Sequence, residues 1–77
     1  MSEPIVVDAR RLLCPLPVIR TQQAIETLPA GTILTVYCTD PGALHDIPAW
    51  SRIHGHTLLE TRSEGREHII TLQTGAN

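Results

Sequence analysis

The sequence predicts an α/β (α+β) two-layer sandwich of order βαβαββ, a four-stranded mixed sheet with two helices on one face. Three observations lead there. Leu34, Val36 and Cys38 fall at every second position along TILTVYC and so share one face, the period of a strand. Val18, Thr21, Ile25 and Leu28 recur at spacings of three and four, with Ala24 beside them, the period of a helix. Proline and glycine close each of these runs, at Pro29-Ala30-Gly31 and at Asp40-Pro41-Gly42. At 77 residues the chain is read as one domain, 1–77, with a thin core.

The elements follow in chain order. Ile5-Val6-Val7 is β-branched and lies between Pro4 and Asp8, which predicts a first strand. Residues 8–13 are expected to form a loop. The first helix is expected from Pro15, with Cys14 as its N-cap, Pro15 and Pro17 in the first turn, and a stop at Gly31. Thr32–Cys38 is the second strand. Ala43, Ile47, Trp50 and His54 form the stripe of a second helix, with Leu44 and Ser51 beside it, Asp46 as a cap of its main body, Pro48 in the first turn and Gly55 at its end. His56–Arg62 and Glu67–Gln73 are two further strands joined by Ser63-Glu64-Gly65-Arg66, and residues 75–77 are expected to fray. The strand–helix–strand order makes the first two strands parallel, with Cys14 and Cys38 at the same sheet edge.

Composition excludes several function classes. There is no lysine, which removes Schiff-base chemistry and the phosphate-loop lysine. A formal charge of −2 with six arginines and two aromatics argues against direct nucleic-acid binding. No apolar run reaches the roughly 18 residues of a membrane span, and the first ten residues lack a secretory pattern, so a cytoplasmic monomer is expected. Two cysteines are too few for a disulfide scaffold.

DARRLLCPLP is the stretch that suggests chemistry. With Cys14 as N-cap, Pro15 and Pro17 delete two of the free helix-end N–H groups and leave the Leu16 N–H as the natural donor to the sulfur. A helix N-terminus, with Arg10 and Arg11 upstream, predicts a lowered thiol pKa. Leu12, Leu13, Leu16 and Ile19 surround the cysteine, and Leu16 and Ile19 lie off the helix's inner stripe, as a docking patch would. Cys38 shares the phase of Leu34 and Val36 and is read as core, with a resolving thiol as the alternative. Asp8 and Asp40 end strands and cap turns, and Asp40 could also tune the charge near Cys14. Trp50 is read as core. His54 and His56 are the best histidine pair for a metal but lack nearby partners, so no metal or organic cofactor is expected.

D-x-R-x-L-x-C-P-x-P at Asp8–Pro17, T-D-P-G-A-L-x-D-I-P-A-W at Thr39–Trp50 and G-H-x-L-L at Gly55–Leu59 together resemble the TusA/SirA-like family of sulfur carriers, from Val7 to about Leu72. The resemblance implies the fold of a translation initiation factor's C-terminal domain, with sheet order 1-2-4-3. It also implies that Cys14 receives sulfane sulfur as a persulfide from a protein donor, a cysteine desulfurase or a rhodanese-like protein, and passes it to a protein acceptor. Pro15, Pro17 and Asp40 carry over with it. Two positions depart from the family pattern. Arg11 stands where the family usually has glycine, so either the loop does not need positive φ there or its path differs. Leu16 is apolar where members that thiolate tRNA carry an acidic residue, which leaves tRNA thiolation, molybdenum-cofactor maturation and sulfur oxidation open. Two rival readings remain: a regulatory or interaction module, RNA-associated, in which Cys14 only caps a helix, and a Cys14–Cys38 dithiol switch.

Overall fold

A computed structural model describes residues 5–75. Strands β1 (Ile5–Ala9), β2 (Ile33–Cys38), β3 (Thr57–Glu64) and β4 (Glu67–Gln73) and helices α1 (Leu16–Ile25) and α2 (Ala43–Ile53) follow the predicted βαβαββ order. The sheet order is β1-β2-β4-β3, with β1 and β2 parallel and the other two pairings antiparallel. In register, Val7 stands beside Val36 and Val36 beside Ile70, while Ala9 stands beside Cys38. Because side chains alternate across a strand, these residues share one face. Together with Leu34 and Leu72, and with Ala43 and Ile47 from α2, they form the core. Each large aliphatic side chain fully buried there contributes about 1.5–3 kcal/mol.

Several boundaries move. β1 runs on to Ala9, since Asp8 and Ala9 pair with Tyr37 and Cys38 and the loop starts only afterwards. α1 ends at Ile25 rather than near Leu28: the Leu28 N–H turns back to the Ile25 carbonyl at 2.9 Å, a tighter closure than a helix turn. His56 precedes β3, and the hairpin turn narrows to Gly65-Arg66, with Gly65 at φ +63. In α2 the buried stripe is Ala43, Ile47 and Ser51; Trp50 is half-buried and His54 exposed. Pro48 falls in the second turn of α2, not the first. The buried hydroxyls of Thr21 and Ser51 donate to the carbonyls of Pro17 (2.8 Å) and Pro48 (3.1 Å), which satisfies them inside the layer between helices and sheet. The expected fraying of residues 75–77 falls mostly outside the described residues. Gly75 itself is held: its N–H donates to His56 Nδ1 at 3.0 Å, and a Cβ there would meet the Gly55 carbonyl oxygen at 1.8 Å.

Candidate functional site

The C-terminal ends of β1 and β2 and the starts of α1 and α2 meet at one edge, and Cys14 lies in the loop between β1 and α1. The first helical residue is Leu16 and the N-cap position is Pro15, so Cys14 stands one residue further out than expected. The Leu16 N–H donates to the Leu13 carbonyl at 2.8 Å and is not available to the sulfur. Pro17 sits at the second helical position, where its missing N–H costs nothing, and its ring is fully buried. The prolines therefore rigidify the helix start rather than aim a donor at the thiol.

Asp40 does the positioning. Its Oδ2 accepts the Cys14 N–H at 2.7 Å and its Oδ1 accepts the Gly42 N–H at 3.1 Å, an Asx turn leading into α2. These two N–H groups hold the Asp40 carboxyl below its ordinary pKa. Alongside, the Arg11 N–H donates to Thr39 Oγ1 at 2.9 Å. Arg11 adopts φ +67, so the loop does require the left-handed conformation where the family's glycine stands, and an arginine supplies it.

The thiol itself faces a carboxylate. The Cys14 S–H donates to Asp46 Oδ2, from the first turn of α2. Gly42, not Asp46, is the N-cap residue of that helix, and Asp46 has no capping bond. The Cys14 pKa is consequently raised, first by the bond to Asp46, then by desolvation, then by the negative charges of Asp46 and Asp40. This reverses the lowered pKa expected of a helix N-terminus. A full charge in contact with the sulfur outweighs a helix end of about half a charge. Arg10 does not offset it, because its guanidinium is bound to Asp8 at 2.9 Å and reaches Glu67 at 3.5 Å. Asp8 is held down to about 2 by the same pairing. Arg11 makes no contribution at the sulfur either.

Around the thiol the apolar side chains divide as the helix phase predicts. Leu13, Leu16 and Ile19 are exposed at 73%, 48% and 41%, while Leu12 packs against the core. Cys38 is fully buried, its S–H directed to the His68 carbonyl at 3.4 Å, and both cysteines are free. No group of three or more histidine, cysteine or acidic side chains suited to a metal occurs among the described residues. His54 and His56 instead lie 5.0 and 5.2 Å from the Trp50 ring, in a cavity of about 240 Å³ at the C-terminal ends of the helices. Trp50 is thus a half-buried wall of that cavity rather than a core residue. Asp46 and Thr39 are the site residues the sequence reading did not place. Both lie in the quoted Thr39–Trp50 segment, and the shared edge of the two helix starts is a signal that could have found Asp46, which the sequence pattern presents as a helix cap.

With this geometry in view, a family model described as sulfurtransferase TusA matches residues 5–74. The chain belongs to the TusA family. It is 48% identical over 75 residues to YrkI of Bacillus subtilis (strain 168), covering 97% of this chain and 100% of that protein. The sulfur carrier protein TusA of Allochromatium vinosum is 37% identical over 59 residues, 77% of this chain and 78% of its own. In structure, this TusA-family chain is similar to a SirA-like protein from Desulfitobacterium hafniense, with a TM-score of 0.71 and 25% identity, covering 94% of this chain and 99% of the other. The fold and the sulfur-carrier family expected from the sequence are therefore both found. No helix of the described residues is long and apolar enough to cross a membrane.

Proposed function

We propose that this chain, acting as one domain, carries sulfane sulfur on Cys14 between a protein donor and a protein acceptor. The observation that carries the reading is an exposed thiol on a rigid turn, inside the segment matched to the family, with Leu13, Leu16 and Ile19 exposed beside it. A thiol that exchanges sulfur between proteins needs such open access, and a buried pocket would deny it.

In loading, Cys14 sulfur attacks the outer sulfur of a donor persulfide. The new S–S bond forms as the donor's S–S bond breaks; the donor leaves as a thiolate and takes up the Cys14 proton. The result is Cys14–S–SH and a donor thiol, with no net oxidation. In unloading, an acceptor thiolate attacks the outer sulfur, the S–S bond to Cys14 breaks, and Cys14 leaves as a thiolate that takes the proton the acceptor thiol gave up. Both steps follow thiol–disulfide exchange, governed by thiolate fraction and leaving-group pKa. The donor class is a persulfidated cysteine desulfurase or rhodanese-like protein, and the Leu13–Leu16–Ile19 surface receives it. Neither step calls on a metal or an organic cofactor.

Uptake of radiolabelled sulfur from a persulfidated donor tests the reading. Wild type should take up one label per chain and Cys14→Ser none, with unchanged circular dichroism. Equal labelling of both proteins would overturn it.

A further inference from the structure

Among the described residues, Asp46 is the group in direct polar contact with the Cys14 sulfur, and it arrives from α2, 32 residues along the chain. It is half-buried at the start of α2, whose next residue, Ile47, is fully buried in the core. The carboxylate is therefore carried by an anchored helix and not by a mobile loop. Asp40 fixes the other side of the cysteine by taking its backbone N–H at 2.7 Å. Between them the thiol is held at both ends, main chain and sulfur, by acidic side chains. The charged groups facing it are Asp46 from α2 and Asp40 from the β2–α2 connection. Among the described residues, Arg10 is committed to Asp8 and Glu67, and the Arg20 guanidinium on α1 donates to the Asp8 carbonyl at 3.1 Å, so neither offsets these charges.

We propose that Asp46 is a positioning residue that holds the proton on the resting Cys14 thiol and keeps the carrier unreactive until a docked partner draws the carboxylate off the sulfur or neutralises it. The inference rests on the carrier reading for its biological sense, but its physical content concerns the thiol alone. Thiolate, not thiol, is the nucleophile. A carboxylate accepting the S–H stabilises the protonated form and opposes the thiolate by its charge, and the raised Cys14 pKa agrees with this. An exposed cysteine so held is protected from stray electrophiles and oxidants. It exchanges sulfur when a protein surface on Leu13, Leu16 and Ile19 changes the surroundings of Asp46. In loading, once Asp46 has been drawn off or neutralised, the Cys14 proton goes to the departing donor thiolate. In unloading, the departing Cys14 sulfur takes the proton that the acceptor thiol gave up, and Asp46 then holds it on the thiol, so atoms and charge balance in both directions.

The test is the pH profile of Cys14 alkylation by iodoacetamide, read by peptide mass spectrometry, in wild type, Asp46→Asn and Asp46→Glu. Asp46→Asn should move the midpoint to lower pH and speed alkylation at neutral pH about three- to tenfold. Asp46→Glu, which keeps the charge, should stay near wild type. An Asp46→Asn midpoint equal to or above that of wild type would overturn the proposal. A structural role alone would leave the midpoint in place, and circular dichroism checks the fold of each variant. If Asp46→Asn does not fold, the Asp46→Glu and Asp46→Ser profiles decide in the same way. A parallel arm loads each protein with glutathione persulfide. If Cys14 takes up no sulfur in any of them although the midpoints shift as stated, the carrier reading fails and the Asp46 assignment stands.

Discussion

Asp40 accepts the Cys14 N–H at 2.7 Å and the Gly42 N–H at 3.1 Å, so one carboxylate ties the cysteine loop to the start of α2. Its folded pKa is depressed below the ordinary 3.8. The resulting stability is present above 3.8 and is lost as pH falls through the lower folded value. Asp40→Asn keeps one acceptor oxygen but turns an amide N–H₂ toward the other donor. It is expected to lower the thermal midpoint at neutral pH, to flatten the loss of stability on acidification, and to slow sulfur uptake at Cys14 several-fold by loosening the turn. Thermal melts across pH, paired with uptake assays, check this.

Arg11 takes φ +67, a conformation that costs an L-residue about 1–2 kcal/mol and a glycine almost nothing. Glycine gives back part of that through the freedom of the unfolded chain. Arg11→Gly should therefore stabilise by about 0.5–1 kcal/mol, and Arg11→Val should destabilise, as read from urea midpoints.

His56 is buried with its ring beside Trp50, and Gly75 donates to its Nδ1. Burial, then the neighbouring His54, lowers its pKa below the ordinary 6.5. The unfolded chain thus binds a proton more readily than the folded one, and stability falls as pH drops through 6.5 toward the folded value. The thermal midpoint should decline over that range in wild type and decline less in His56→Gln. Gly75→Ala should cost at least about 1 kcal/mol, because its Cβ meets the Gly55 carbonyl and the bond to His56 is lost.

Leu16 and Ile47 separate contact from stability. Ile47 is fully buried, and Ile47→Ala is expected to cost about 2–5 kcal/mol by chemical denaturation. Leu16 is 48% exposed, and Leu16→Ser should change stability by less than about 0.5 kcal/mol. It should nevertheless slow sulfur transfer from a protein donor while leaving loading from a small persulfide unchanged.

What the sequence disclosed is what lies in local pattern. The alternation of Leu34, Val36 and Cys38 marked both the strand and its buried face, and Cys38 is buried as that phase requires. The helix phase separated exposed Leu16 and Ile19 from the inner face occupied by Thr21. Contacts across the chain were not legible. Asp46 reads as a helix-start acid until the fold sets it against a sulfur 32 positions away. That contact is the largest of the causes that raise the Cys14 pKa, ahead of desolvation and the charge of Asp40. Arg11 likewise revealed neither its positive φ nor its bond to Thr39, because both depend on the loop lying along the end of β2. At the start of α1 a rule for N-caps misassigned one donor: the chain closes a turn onto the Leu13 carbonyl before the helix begins.

Mass spectrometry of the protein purified from cells without reductant tests the carrier function most directly. The account predicts a fraction of chains heavier by one sulfur, about 32 Da, mapping to the Cys14 peptide and removed by reductant. Added sulfur on Cys38 instead, or none on Cys14 even after incubation with a persulfidated donor, would contradict it.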